Sequence, residues 1–148
     1  MCRSISSIPK GLNLFIVNSN VKRGLVDSEY NLRREQCEEA AKVMDVELLR
    51  DADMRLLEQH KTDMSQTAYI RARHVITENE RTLNTLTSLN DGEISTVSRL
   101  MRESHLSMKD DFQITTSQID YLVDLIHADL ADKGGVRMTG GGFGGCVV

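Results

Sequence analysis

The sequence predicts an α+β fold in one domain of 148 residues. A short apolar run with the length of a strand lies near the beginning, at residues 12–17. Several segments with helical spacing of apolar residues follow, and two short apolar segments joined by a glycine-rich turn come last. The order of one strand, several helices, and then strand, turn and strand is typical of an α+β domain.

The first strand is predicted from a run of neighbouring apolar residues. The run contains Leu12, Leu14, Phe15, Ile16 and Val17. Its length and its β-branched residues favour a buried strand. The polar residues 18–20 end this strand, and a small basic loop follows over residues 21–26.

Five helices are predicted next, from apolar residues that recur with a helical period. Their expected ranges are about 28–44, 48–57, 66–89, 93–109 and 117–131. Asp27 or Ser28 is a suitable N-cap for the first helix, and Gly92 suits the turn that ends the third. Glycines end the last helix, and short strands are then expected at residues 136–139 and 146–148.

The composition argues against several classes of function. The net charge of −4 gives no broad basic surface for nucleic acid. No apolar run approaches the roughly 18 residues of a membrane-spanning helix. Cys2, Cys37 and Cys146 are odd in number, far apart and without a Cys-x-x-Cys pattern. We therefore expect reduced thiols in a cytoplasmic protein and no zinc site.

A glycine turn, residues 140–145, is the most unusual feature of the sequence. Its glycines are Gly140, Gly141, Gly142, Gly144 and Gly145. Backbone N–H groups that are free of side chains can surround an anion, but such a turn can equally serve close packing between two strands. The spacing alone leaves both interpretations open. No Gly-Lys-Ser/Thr follows the turn and no helix follows it, so it is neither a P-loop nor a convincing dinucleotide-binding fingerprint.

Few side chains outside this turn suggest chemistry. Tyr30 lies at the start of a helix beside a flexible basic loop, where a phenol can donate to a sugar hydroxyl. The residues alone favour the alternative, a tyrosine ring in the core with its tip in solvent. Asp110 and Asp111 are interpreted as solvated or capping groups rather than as acid–base groups or metal ligands. We expect no catalytic residue and no metal site in this chain.

Four segments together resemble galactokinases, which are sugar kinases of the GHMP family. They are Asn18-Ser19-Asn20 with Lys22-Arg23; Ser28-Glu29-Tyr30-Asn31-Leu32-Arg33-Arg34-Glu35-Gln36-Cys37-Glu38; Glu103-Ser104-His105-Leu106-Ser107-Met108-Lys109-Asp110-Asp111-Phe112; and Arg137-Met138-Thr139-Gly140-Gly141-Gly142-Phe143-Gly144-Gly145-Cys146. The last resembles the third motif of GHMP kinases, and the Ser-Glu-Tyr segment is more specific to galactokinases. The order and rough spacing of all four match, and the resemblance spans essentially the whole chain.

This resemblance implies a small antiparallel sheet with helices packed on it, as in the ferredoxin-like C-terminal domain of GHMP kinases. It implies phosphorylation of D-galactose at its C1 hydroxyl by ATP with Mg²⁺. The galactokinase tyrosine that contacts the sugar corresponds to Tyr30, and the third motif, here the glycine turn, lies beside the active-site cleft. The alternatives are a galactokinase-like sensor that binds galactose and ATP without catalysis, and a GHMP kinase for N-acetylgalactosamine.

Several parts of the family's active site have no counterpart in these residues: the phosphate loop, the catalytic Asp and the Mg²⁺-binding Glu. We therefore expect residues 1–148 to be most of a galactokinase C-terminal domain, without the N-terminal domain and the final C-terminal segment. Alone, it is expected to be inactive and to bind no cofactor. An unpaired strand edge and exposed apolar surface would then favour a homodimer. The glycine turn, lacking the opposite wall of the cleft, is expected to face solvent or a neighbouring copy.

Overall fold

The structure, a computed structural model, describes residues 11–22 and 26–148. These residues form five α-helices and a three-stranded antiparallel sheet, which confirms the predicted α+β class. In chain order the elements are β1 Val17–Asn18, α1 Val26–Val43, a 3₁₀ turn Leu49–Asp51, α2 Met54–Gln59, α3 Gln66–Asp91, α4 Ile94–Ser107, a π turn Met108–Phe112, α5 Ser117–Leu130, β2 Met138–Thr139 and β3 Cys146–Val147.

The sheet has the strand order β1-β3-β2, so β3 lies in the centre and β1 lies at an edge. Val147 of β3 lies opposite Val17 on one side and opposite Met138 on the other. Two further backbone hydrogen bonds, of 3.0 and 2.9 Å, join Arg137 and Val148 beyond the strands. The glycine turn connects β2 to this central strand, and its position is therefore fixed at both ends by the sheet.

Polar caps and a glycine set the limits of the longer helices. The Ser65 side chain accepts a hydrogen bond from the N–H of Ala68 at the start of α3, and Thr116 accepts one from Ile119 at the start of α5. Gly92 ends α3 with φ +74°, a left-handed conformation that is costly for other residues. Because these signals are local in sequence, the predicted limits of α3 and α5 lie within two residues of the observed ones.

Buried apolar side chains form two clusters. The first lies among α1, the 3₁₀ turn, α2 and α3, and includes the fully buried Ala40, Leu57 and Ile76. The second joins the sheet to α5 and to the π turn, and includes Met138 and Val147. Each large side chain buried in this way contributes about 1.5–3 kcal/mol through the hydrophobic effect. The second cluster lies directly under the two strands that carry the glycine turn.

The prediction of a buried first strand is wrong. Only Val17 and Asn18 pair with the sheet, and the side chains of Leu14, Phe15 and Ile16 are 64%, 73% and 68% exposed. The strand lies at the edge, and no element within the described residues covers the outer side of these three side chains. Apolar, β-branched composition indicates a strand, but a neighbouring element decides whether that strand is buried.

The helix predicted to end near residue 109 ends differently. α4 stops at Ser107, and a wider π turn carries the chain on to Phe112. Gln113 then takes a left-handed backbone conformation with φ +55°. The carbonyl groups at the end of a helix lack intrahelical partners and need donors from elsewhere. In this protein the donors come from two arginines, which are described below.

Candidate functional site

The glycine turn has a buried half and an exposed half. Gly142 and Gly144 are buried, whereas Gly140 and Gly141 are exposed. The buried pair has φ values of +84° and +129°, which side chains with a Cβ rarely adopt. The buried half therefore serves backbone packing, and the exposed half is the part that a ligand can reach.

Ile114 supports the buried half of the turn on one side. The N–H of Phe143 donates to the carbonyl oxygen of Ile114 over 2.6 Å. A Cβ on Gly142 would lie 2.6 Å from the same oxygen, closer than real Cβ contacts. The sequence needs glycine at position 142 because this backbone approach leaves no room for a side chain.

Residues 19–21 support the turn on the other side. The backbone N–H and the hydroxyl of Ser19 both donate to the carbonyl of Gly145, over 3.0 and 2.6 Å. A Cβ on Gly144 would lie 2.6 Å from the carbonyl oxygen of Val21. The expectation that the turn faces solvent or a neighbouring copy is therefore wrong for its buried half, because two segments of the same chain enclose it.

Arg33, on α1, binds the chain just before Ile114. Its side chain is buried, and it donates to the carbonyl of Phe112 through Nε (2.7 Å) and to that of Gln113 through Nη2 (3.1 Å). Its Nη1 lies 3.3 Å from the carboxylate of Glu29, one turn earlier on the same helix. Arg33 thus caps the end of the π turn and fastens α1 to the support of the glycine turn.

Arg71, on α3, completes this cap from another direction. It is also buried, and it donates to the carbonyl of Asp111 and, over 2.7 Å, to the side-chain oxygen of Gln113. A third donor meets Gln36 of α1 over 3.0 Å. Burial, and then the positive charge of Arg33, lower the pKa of Arg71. Arg33 and Arg71 therefore join three elements: α1, α3 and the π turn.

Asp111 is part of the same structure, which corrects the interpretation of it as a solvated group. Its carboxylate forms an ion pair with Arg73 and accepts a hydrogen bond from Ser107 over 3.2 Å. The hydrogen bond from Arg73 and the charge of Asp111 outweigh burial and raise the pKa of Arg73. Asp110 is exposed, as expected.

Tyr30 lies in the first part of α1 and is 59% exposed. The interpretation of this residue as a core ring with a solvated tip is therefore wrong. Tyr30 precedes Arg33 by three residues, nearly one helical turn, so the two residues lie on neighbouring parts of one helix face. Its phenol is available to a ligand.

A second polar network lies under β2, at the start of the glycine motif. Arg137 donates to Ser104 over 2.6 Å and lies 3.3 Å from the carboxylate of Glu78, which also accepts from Ser104 over 2.7 Å. Burial opposes ionisation of Glu78, but hydrogen bonds from Ser104 and Arg81 outweigh it and hold the pKa of Glu78 below its usual value. This network ties α3 and α4 to the residue that precedes β2.

Two histidines are buried beside these networks. His105 accepts a hydrogen bond from the N–H of Met138 through Nδ1 (3.3 Å), and its other nitrogen lies 3.3 Å from Asp120. His74 bonds Ser107 over 2.8 Å and stacks on Phe112 with ring centroids 4.4 Å apart. Burial lowers the pKa of His74 to about 4. Burial also lowers the pKa of His105, against the opposing charge of Asp120. Both imidazoles therefore favour the neutral form and position β2 and the π turn.

Other classes of site find no support within residues 11–22 and 26–148. No group of three or more His, Cys, Asp or Glu side chains is arranged to hold a metal ion there. No helix in the same part of the chain is long and apolar enough to cross a membrane. The polar chemistry of the described residues is therefore concentrated around the glycine turn and its supports.

Comparison with known families defines the class of protein. Residues 85–148 match the family model described as GHMP kinases C terminal. This range contains α4, the π turn, α5, both later strands and the glycine turn. Residues 85–148 are therefore similar to the C-terminal domain of GHMP kinases.

The particular kinase that the chain resembles is galactokinase. A crystal structure of Lactococcus lactis galactokinase complexed with galactose matches 89% of this chain at a TM-score of 0.80 and 32% sequence identity. The chain spans 35% of that protein's length. The resemblance seen in the four sequence segments is thereby confirmed at the level of the fold and of overall sequence similarity.

The sequence motifs contained only some of the residues of the site, and their pattern did not reveal what those residues do. Arg33 and Arg137 stand inside quoted motifs, yet nothing in their spacing showed that they cap a helix end or hold β2. Arg71 and Glu78 lie outside the motifs, inside α3. Their signal was a charged side chain beside an apolar stripe, which many exposed helices also show.

Proposed function

We propose that this chain forms one wall of the active-site cleft of a galactokinase, which transfers a phosphoryl group from ATP to the C1 hydroxyl of D-galactose. The observation that supports it most is the connection between Tyr30 and the glycine turn. Arg33 joins the helix of Tyr30 to residues 112–113, and the next residue, Ile114, binds the turn. The match to a galactose-bound galactokinase supports the choice of galactose.

Each part of this wall has a chemical role in the proposal. The exposed phenol of Tyr30 hydrogen-bonds a sugar hydroxyl, an interaction with a net value of about 1 kcal/mol. The peptide N–H of Phe143 is already occupied by Ile114. The exposed peptides of Gly140 and Gly141 are the part of the turn that borders the cleft near the nucleotide phosphates.

ATP and Mg²⁺ belong to the proposal for the full-length protein only. The described residues show no cluster of ligands that fits Mg²⁺, and Asp111 is already paired with Arg73. The Mg²⁺ ligands, the phosphate loop and the catalytic carboxylate are accordingly assigned to polypeptide beyond this chain. Phosphoryl transfer depends mainly on positioning and charge stabilisation, so the 148-residue chain alone is expected to be inactive.

A coupled assay of ADP release tests the proposal. The full-length protein that contains this chain is expected to release ADP with galactose and ATP, and the 148-residue chain is expected to release none above background. Turnover that prefers N-acetylgalactosamine would move the assignment to another GHMP kinase. Binding of galactose and ATP without turnover would indicate a sensor. Absence of both binding and turnover with galactose would overturn the proposal.

A homodimer of the isolated chain is also proposed, through the edge of β1. The exposed side chains of Leu14, Phe15 and Val17 border an apolar groove of about 860 Å³ that reaches α5 and the end of β3. An apolar strand at a sheet edge is a ready partner for a second copy. Light scattering should show a dimer that Ile16→Lys converts to a monomer, and a wild-type monomer at high concentration would count against the proposal.

A cytoplasmic location belongs to the same proposal. Cys37 and Cys146 are free thiols, and burial raises the pKa of Cys37 to about 11. A thiol with this pKa is largely protonated and unreactive. Such thiols suit a reducing compartment, and imaging of the tagged full-length protein would test the location.

A further inference from the structure

We propose that Arg33 is a positioning residue, which holds the helix carrying Tyr30 against the segment that supports the glycine turn. Its consequence for catalysis rests on the proposed galactokinase function, whereas its structural consequence does not. Arg33 is 6% exposed, so it acts through Tyr30 and the turn rather than on a substrate.

The partners of Arg33 explain why this position needs arginine. One planar guanidinium donates to two successive carbonyl groups, those of Phe112 and Gln113, at 2.7 and 3.1 Å. Both acceptors are neutral, and the only carboxylate paired with Arg33 among the described residues is the half-exposed Glu29. Burying a guanidinium in these surroundings is costly unless its geometry is well satisfied. Lysine would keep the charge but cannot form the same fork of two bonds.

The segment held by Arg33 leads directly to the glycine turn. Gln113 has φ +55°, a conformation that persists only where the surrounding structure enforces it. Arg33 binds its carbonyl and Arg71 binds its side chain. The next carbonyl along the chain, that of Ile114, receives the N–H of Phe143. A change at Gln113 therefore reorients the acceptor on which the turn rests.

The same bonds fix the orientation of α1. Tyr30 is nearly one helical turn before Arg33, so the rotation of α1 about its axis determines where the phenol points. With Arg33 bound to the π turn, that rotation is set relative to Ile114 and the glycine turn. Arg33 thus fixes the position of the proposed sugar contact, Tyr30, relative to the glycine turn on the proposed phosphate side.

Amide hydrogen exchange in the 148-residue chain tests the structural part. Arg33→Lys and Arg33→Gln are compared with Arg34→Gln, because Arg34 is the adjacent arginine and its pair with Glu38 is exposed. The measured quantity is the exchange protection of the Phe143 amide divided by that of the Ile76 amide in the helical core. This ratio separates a local release of the turn from a general loss of stability.

In both Arg33 variants we expect the protection ratio to fall by about tenfold, the equivalent of one hydrogen bond. Arg34→Gln is expected to leave it within about twofold. If Arg33→Gln does not fold, Arg33→Lys, which keeps the charge and the apolar stem, gives the result. A ratio that stays within about twofold in Arg33→Lys would overturn the inference, since the turn would then be supported without the fork of two bonds.

A kinetic measurement on the full-length protein tests the functional part. Arg33→Lys is expected to raise the KM for galactose by about tenfold while changing the KM for ATP by less than about threefold, since it displaces the sugar contact. An equal effect on both constants would contradict the role. If the full-length protein proves not to be a galactokinase, the exchange ratio still decides the structural part, so the two failures remain distinguishable.

Discussion

The glycine turn and the first strand border the same sheet, yet they have opposite surroundings. The turn, with five glycines and one large apolar side chain, is half buried and bonded to two other segments. The first strand and the residues that lead into it contain four consecutive large apolar residues, 14–17, and these are exposed. The sequence predicted a buried first strand, whereas the spacing of the glycines left the turn open between an anion site and close packing between strands.

This difference shows that hydrophobic composition does not by itself determine burial at the margin of a sheet. Residues 14–17 lack a neighbour on the outer side of β1 within the described part of the chain. The turn has neighbours on both sides, Ile114 and Val21, because glycine has no Cβ. A Cβ at Gly142 or Gly144 would lie only 2.6 Å from the carbonyl oxygen of the neighbouring residue. A site built in this way depends on backbone hydrogen bonds and on the arginines that hold their acceptors.

The largest expected effect is that of Gly142→Ala, which inserts a methyl group between the turn and Ile114. The positive φ of +84° and the overlap with the Ile114 carbonyl should together destabilise the chain by about 3–4 kcal/mol. Gly92→Ala is the matched control, because Gly92 has φ +74° but open space around its Cβ position. It should cost about 1 kcal/mol. Urea unfolding measures both, and equal losses would show that the contact with Ile114 is not tight.

The support of the turn should weaken in acid because of His74. Its pKa is about 4 in the folded chain, against an ordinary value of 6.5. Below pH 6.5 the unfolded chain therefore binds the proton more readily, and stability should fall as the pH drops from 6.5 to 4, by about 3 kcal/mol.

Two variants isolate this contribution. His74→Gln should be less stable at neutral pH but lose about 2–3 kcal/mol less than the wild type between pH 7 and pH 4. His60→Gln, at a histidine that pairs with Asp63 near the surface, should follow the wild-type profile. The same acid loss in wild type and His74→Gln would rule out His74 as the source.

A smaller effect on stability is expected at Asp111, which lies beside the two arginines that cap the π turn. Asp111→Asn removes the ion pair with Arg73 but retains an acceptor for Ser107. Because the carboxylate is 15% exposed, we expect a loss of about 1–2 kcal/mol. Asp110→Asn, on the exposed neighbour, should change stability by less than about 0.5 kcal/mol. Indistinguishable thermal midpoints of the two variants would show that the pair with Arg73 does not stabilise the fold.

The smallest effect on folding is expected in the exposed strand. Ile16→Ser should change the free energy of unfolding of the monomer by less than about 0.5 kcal/mol, since the side chain is 68% exposed. Val147→Ser, in the central strand, should cost about 2 kcal/mol. The comparison is made by urea unfolding at low protein concentration. A large loss in Ile16→Ser there would mean that the first strand is buried in solution.

Much of the fold followed from local signals in the sequence. Helical spacing predicted the helices, with Gly92 at the end of α3, and the glycine turn between two apolar segments predicted the strands that flank it. These signals need only neighbouring residues. The π turn at residues 108–112 was not predicted, since its geometry depends on donors from α1 and α3 that are distant in sequence.

The site was predictable only as a set of motifs. Tyr30 and the glycine turn were named from the sequence, and their role in a galactokinase stays a prediction. The link between them depends on Arg33, which is 79 residues from one of its acceptors, Phe112. No local pattern distinguishes this buried arginine from its exposed neighbour Arg34. The two lie on different faces of α1, and only the folded structure shows which face packs against the π turn.

The most direct test of the galactokinase assignment is the KM for galactose of the full-length protein with Tyr30→Phe, set against Tyr121→Phe. Tyr121 is also an exposed tyrosine, at 70% against 59% for Tyr30, and it lies on α5 rather than on α1. Loss of one phenol hydrogen bond to the sugar predicts an increase of about tenfold for Tyr30→Phe. Tyr121→Phe should leave the constant unchanged. An unchanged KM in Tyr30→Phe, or the same change in both variants, would contradict the placement of the sugar beside Tyr30.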